Sequence, residues 1–137
     1  MPRAVLDPNV LISALITPRG ASARLLLALR AGSFELVTSP ALLGELSDVI
    51  HRTRFRQYVS IEQADGFVEL IRRESSVLDD PERPAPPVSE DPGDDYLVAL
   101  ARAASAELVS GDPHLTKLAP ALPVFAPAEF LARLDAG

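Results

Sequence analysis

Short apolar segments that end in a helix-starting pair constrain this chain more than any other feature. Arg3–Leu6 is cut off by Asp7-Pro8, and Phe34–Thr38 is cut off in the same way by Ser39-Pro40. An Asp or Ser at the N-cap accepts orphan N–H groups of the first turn, and a proline at the first helical position lacks an N–H that would go unpaired there. Each pair reads as a strand running directly into a helix. Residues 21–31 then read as a helix closed by Gly32. The helix from Pro40 to about Arg52 places Leu42, Leu46, Val49 and Ile50 on one stripe. Ser60–Glu74 is expected to be helical, opened by a capping box of Ser60 and Gln63. A proline-rich loop with Pro81, Pro84, Pro86 and Pro87 breaks regular structure before a helix over Gly93–Ser105. A strand at Glu107–Ser110, a turn at Gly111–Pro113, a strand at Leu122–Phe125 and a helix from Pro127 complete the pattern. Strands alternating with helices predict an α/β fold with a parallel sheet covered on both faces. No repeat and no second composition regime appears, so residues 1–137 are expected to form one domain.

Composition removes several classes of chemistry. The chain has no cysteine and only two histidines, His51 and His114, which excludes disulfide scaffolds, thiolate zinc sites and cysteine nucleophiles. The apolar runs Leu25–Leu29 and Tyr96–Ala101 fall far short of the ~20 residues that span a bilayer. Asp7 and Pro8 interrupt any secretory core, so the expected compartment is the cytoplasm. The net charge of −6 argues against generic coating of nucleic acid. That deficit is local, because residues 79–95 hold seven acids and one Arg while the remainder balances at twelve against twelve. Positive charge gathers at His51–Arg56 and Arg72–Arg73. Arg52, Arg54 and Arg56 can meet a nucleic-acid backbone, or can be a solvated helix end. The glycine-rich phosphate loops, nucleophile elbow and His-Glu zinc motif of the commonest α/β enzymes are missing.

What remains is acidic. In an open parallel sheet ligands bind beyond the carboxyl ends of the strands. Asp7 follows the first strand directly, and Asp112 lies two residues past the strand 107–110. Glu45 is one turn into the helix that leaves the second strand, on the margin of its apolar stripe, whereas Asp48 falls on the solvent side. Asp94 and Asp95 open the helix after the proline loop, and the helical wheel aims Asp94 at the core edge and Asp95 away from it. Asp-Pro occurs at Asp7, Asp80, Asp91 and Asp112, so each can be a turn or a cap alone. Capping does not explain Glu45. A carboxylate aimed at a core edge needs a partner, and a hard divalent cation suits several carboxylates without thiolates.

Asp7-x-Asn9 after a first strand, Glu45, Asp91-Pro-x-Asp94-Asp95 before an Ala-rich helix, and Leu108-Val-Ser-Gly-Asp112 together resemble the PIN domain. The likeness runs from Arg3 to about Leu131, and points toward the bacterial toxin components grouped as VapC-like ribonucleases. It implies a three-layer α/β/α domain acting as a Mg²⁺- or Mn²⁺-dependent endoribonuclease, with Asp7, Glu45, Asp94 and Asp112 as catalytic metal ligands. Asn9, Ser110 and Asp95 are then expected to orient ligands or substrate. Expected partners are an RNA substrate, a cognate antitoxin and a second copy of the chain. Pro8 and Ser110 stand where the family often has threonine. Two other readings compete: a receiver-like phosphohydrolase, disfavoured because the single lysine, Lys117, is misplaced for it, and a silent PIN-like module that binds RNA or protein.

Overall fold

The computed structural model describes residues 1–83, 92–119 and 121–136. Its elements run β1 (Arg3–Leu6), α1 (Pro8–Ile16), α2 (Ala21–Arg30), β2 (Glu35–Thr38), α3 (Pro40–Ile50), α4 (Ile61–Arg73), β3 (Ser75–Val77), α5 (Asp95–Ala104), β4 (Glu107–Val109), α6 (Pro113–Thr116), β5 (Val124–Phe125) and α7 (Pro127–Ala136). Tight 3₁₀ turns occupy Thr53–Phe55 and Pro92–Asp94. The five strands form one sheet in the order β3-β2-β1-β4-β5, and every pair is parallel.

Both faces of this sheet are covered. Ala4, Val5 and Leu6 are successive residues of the central strand and must point alternately to opposite faces, yet all are buried. α5 packs against β1, β2 and β4, while α1 joins α2 and α3, α3 joins α4, and α2 joins α7. The layers follow the expected three-layer plan.

The local signals act as the sequence implies. Asp7 caps α1, Ser39 caps α3 through its bond to Leu42 N–H, and Ser60 with Gln63 forms a complete capping box on α4. Gly32 ends α2 with φ +80°, a conformation that a side chain rarely adopts. Asp80 adds a long-range cap, its carboxylate accepting Ala41 N–H at 2.9 Å. Arg3, Glu35 and Ser76 tie β1, β2 and β3 together: Arg3 Nε donates to Glu35 Oε2 at 3.0 Å and Ser76 Oγ donates to Oε1 at 2.7 Å. The Ser76 hydroxyl, with Arg3, holds the Glu35 carboxyl below its usual range.

Several expected boundaries shift. β3 was not anticipated, because Ser75–Val77 directly follows a helix and has only one strongly apolar residue. It forms only because β2 offers it a parallel edge, Thr38 pairing with Val77. The expected turn at Gly111–Pro113 becomes a cap followed by the short helix α6. The predicted helix over Gly93–Ser105 starts at Asp95, and the strand expected at Leu122–Phe125 is only Val124–Phe125. Of the proline loop, Pro84, Pro86 and Pro87 lie outside the described residues, as does Asp91. No single helix among the described residues is long and apolar enough to cross a membrane.

The closing helix is anchored by one ring. Phe130 is fully buried and meets Phe34 edge-on, with ring centroids 5.3 Å apart. Phe130→Ala should therefore destabilise the fold by about 3–5 kcal/mol in urea denaturation, the cost of a large buried aromatic cavity. A loss below ~1 kcal/mol would show that α7 is not part of the cooperative core.

Candidate active site

The strand order changes direction at β1: β2 and β3 are laid to one side of it, β4 and β5 to the other. The crevice beyond β1 and β4 is therefore the switch point where α/β sheets bind ligands. Two acids reach it from the strand ends. Pairing of Leu6 with Val109 continues into a bond from Asp7 N–H to the Val109 carbonyl at 3.0 Å. Ser110 and Asp112 are thereby brought beside Asp7 across about a hundred residues of chain.

Asp7 is the buried member, 6% exposed. Its Oδ1 accepts Asn9 N–H at 3.0 Å and its Oδ2 accepts the Ser110 hydroxyl at 2.9 Å. Burial nevertheless raises the Asp7 pKa above the usual carboxylate value, and the charges of Glu45 and Asp112 push the same way against those two bonds. Ser110 also accepts Asp112 N–H at 3.0 Å, so one buried hydroxyl spaces the two acids. Asp112 caps α6 through His114 N–H at 2.9 Å.

Glu45 arrives from α3 and is half-buried, while Asp48 is exposed, as the helical wheel indicates. Its Oε2 accepts the hydroxyl of Tyr96 on α5. Burial, followed by that bond to Glu45 and the charges of Glu45, Asp7 and Asp94, raises the Tyr96 pKa far above the ordinary phenol range. Tyr96 is thus a fixed proton donor to Glu45. Asp7 lies within electrostatic reach of Glu45 and Asp112, and Tyr96 within reach of Glu45, Asp7 and Asp94.

The reading of Asp94 and Asp95 requires correction. Asp95, expected to point away, is 2% exposed, and Asp94 is only half-buried. The wheel assumed one continuous helix, but Asp94 ends a 3₁₀ turn with φ −93° and ψ −4°, and α5 begins after it. Residues 95–101 are all buried, so the start of α5 has no solvent side for Asp95 to face. The arginines also divide. Arg52 shares a cavity of about 460 Å³ with Glu45, Tyr96 and Arg83. Arg54 is exposed and lies 4.8 Å from the Phe55 ring centroid. Arg56 is turned inward: it donates to the Ile50 carbonyl, and its Nε and Nη1 are buried, so it does not present a free guanidinium.

Tyr96 and Arg83 were not read as site residues. Tyr96 looked like the first member of an apolar run, although its place two residues after Asp94 was a usable signal. Arg83 sits in the proline-rich loop, and its guanidinium lies 5.7 Å from the Tyr96 ring centroid.

The donor set fits a hard divalent cation by chemistry, since the clustered groups are carboxylates and no Arg or Lys among the described residues pairs with buried Asp7. The groups are not drawn tightly together: among the described residues, no three acidic or histidine side chains converge closely enough to hold an ion as they stand. Four like charges repel, and Asp7, Glu45 and Asp112 are each held by their own hydrogen bonds.

A PIN domain family model matches residues 3–114. The chain belongs to the PIN domain family. Among solved structures it is similar to PAE2754 from Pyrobaculum aerophilum, at 14% identity and TM-score 0.69 over 100% of this chain and 91% of that one. It is also similar to VapBC2 from Rickettsia felis bound to a DNA fragment from their promoter, at 15% identity and TM-score 0.62 over 89% and 96% of the two chains. FitAcB from Neisseria gonorrhoeae matches at 19% identity and TM-score 0.60 over 91% and 98%. At these identities the likeness is one of fold. No curated protein matches the chain by sequence.

The raised pKa of Asp7 has a definite sign. Between the unfolded value of 3.8 and the higher native value, the folded state binds more protons than the unfolded one, so stability falls as pH rises through that window. Asp7→Asn keeps the bond from Asn9 N–H to Oδ1, reverses the other so that its Nδ2 donates to Ser110 Oγ, and removes the charge. The variant should melt at or above wild type at pH 7 without metal, and the gap should close as pH falls toward 4. A variant that melts lower at pH 7 would show that the carboxylate stabilises the fold.

Proposed function

We propose that this chain is a divalent-metal-dependent endoribonuclease and the toxin of a toxin–antitoxin pair. The observation that supports this reading is the buried Asp7 carboxylate at the sheet's switch point, within electrostatic reach of Glu45 and Asp112, in a member of the PIN domain family. Asp7, Glu45, Asp94 and Asp112 would hold Mg²⁺ or Mn²⁺, with Asp95 supporting Asp94 from the buried start of α5. When bound, the ion supplies a water of lowered pKa and neutralises charge on a scissile phosphate.

The chain's own residues prepare that site. Ser110 and Asn9 fix both oxygens of Asp7, so the carboxylate does not rotate. Tyr96 holds one oxygen of Glu45 and, fully protonated, does not compete as an anion. Arg52 and Arg83, beside Glu45, give an RNA backbone a cationic approach to an otherwise negative site. Arg54 extends that approach along the surface, whereas Arg56 belongs to the fold. An antitoxin protein and a second copy of the chain are the proposed partners, and the proposed setting is the cytoplasm. The open spacing of the carboxylates favours one rival, a silent RNA-binding module.

The test is direct. Wild-type protein freed of any antitoxin should cut single-stranded RNA with Mn²⁺ or Mg²⁺, and EDTA should stop it. Asp7→Asn should lose more than the ~10–100-fold typical of a residue one contact removed from a metal. Millimolar Mn²⁺ should raise the melting temperature of wild type but not of Asp7→Asn. An inert wild type that binds RNA equally well with and without metal establishes the silent module instead.

Tyr96→Phe isolates the bond to Glu45, because the ring stays and only the hydroxyl goes. Mn²⁺ affinity by calorimetry should weaken roughly 10-fold or more while the melting temperature of the metal-free protein stays near wild type. Unchanged affinity would make Tyr96 a packing residue only.

A further inference from the structure

A second cavity, of about 420 Å³, is lined by Asp7 and Asp112 and by none of the described arginines. Its far wall is made by α1 and the start of α2, which contribute Asn9, Ser13 and Ser22. Ser13 lies one helical turn beyond Asn9, so the two side chains share a face of α1. Ser22 is buried at 8% exposure. Among the described residues, the side chains of Asn9, Ser13 and Ser22 make no hydrogen bond within the protein. The remaining walls are apolar, from Val10 and the rings of Pro113 and Pro127.

This combination selects a ligand class. No cationic residue among those described lines the cavity, and two carboxylates stand at its rim, so a phosphate is not what it holds. A purely apolar ligand would cover the hydroxyls of Ser13 and Ser22 and take them from water without offering a partner. Ser and Asn each offer donor and acceptor capacity, which matches the alternating donors and acceptors of a nucleobase edge. Flat proline walls suit a planar ring, and the volume lies near the small end of ligand pockets, enough for one nucleoside rather than a longer segment. RNA is commonly read through unstacked bases held in this way.

We propose that this cavity receives the nucleoside next to the scissile phosphate, and that Ser13 and Ser22, with Asn9, set the base preference of cleavage. The proposal rests on the nuclease reading and adds the determinant of its specificity. The carboxylates at the rim would face the phosphodiester while the neighbouring base turns inward against α1 and α2.

The experiment cleaves a randomised single-stranded RNA pool with Mn²⁺ and sequences the ends. Wild type should show a base preference at one position adjacent to the cut. Ser13→Ala and Ser22→Ala should each relax that preference by roughly 3–10-fold, the worth of one neutral hydrogen bond, with KM rising more than kcat falls. A parallel titration with free adenosine, guanosine, cytidine and uridine, followed by NMR, should shift the amides of Ser13 and Ser22 for the preferred base. Ser22→Leu, which fills the cavity, should suppress that shift; if it does not fold, Ser22→Ala carries the same comparison. Cleavage with unchanged base preference in both alanine variants overturns the pocket and leaves the nuclease reading intact. A wild type that cuts no RNA overturns the nuclease reading itself, and the pocket's role in specificity with it.

Discussion

Parallel pairing of β1 with β4 is the constraint on which the site depends. These strands are distant in sequence, and their register, Leu6 opposite Val109, decides what stands beyond their ends. A slip of one residue would carry Asp7 away from Ser110 and exchange the face of the sheet on which each side chain packs. With the register fixed, one hydroxyl serves both acids: Ser110 donates to Asp7 and accepts from the backbone of Asp112. Serine in place of the family's usual threonine keeps that hydroxyl, so the bond that matters is preserved. Pro8 keeps no hydroxyl, but it begins α1 in a position where its missing N–H costs nothing.

The fold was legible because its punctuation is local. Asp7-Pro8 and Ser39-Pro40 mark strand-to-helix junctions through capping chemistry that acts over three or four residues, and each junction falls where the sequence places it. β3 was hidden because its cause is not local: Ser75–Val77 has little strand character of its own and is a strand through β2 alone. The site shows the same division. Asp7, Glu45 and Asp112 were accessible through position relative to predicted strand ends and one helical stripe. Tyr96, Arg83 and the burial of Asp95 were not, since each depends on what packs against α5. The wheel for Asp94 and Asp95 failed because periodicity holds only within a helix, and Asp94 ends a 3₁₀ turn while Asp95 begins α5.

The acidic cluster sets stability against function. Glu35 at the opposite end of the sheet has satisfied its charge with Ser76 and Arg3, and its pKa moves down accordingly. Asp7 has two hydrogen bonds of similar length and still moves up, because burial beside Glu45 and Asp112 outweighs them. The difference lies in the partner: Glu35 has a cation and Asp7 has none among the described residues. A buried carboxylate held in place against its own electrostatics is what the proposed metal site would need, since a bound cation would offset that burial.

The two cavities lined by these acids differ in chemistry. On the Glu45 side stand Arg52 and Arg83, which favour a charged backbone. On the Asp7 side stand Asn9, Ser13 and Ser22, neutral and able to hydrogen-bond in either sense. Cationic groups attract any RNA equally, and so contribute affinity without selecting sequence. Neutral hydrogen-bonding groups do the reverse, because a mismatched base leaves one of them buried and unpaired. Since the overall charge of the chain is −6, the cationic side is a narrow approach and not a basic coat. On the proposed reading, nonspecific affinity is thereby kept low and discrimination falls to the few neutral side chains on α1 and α2.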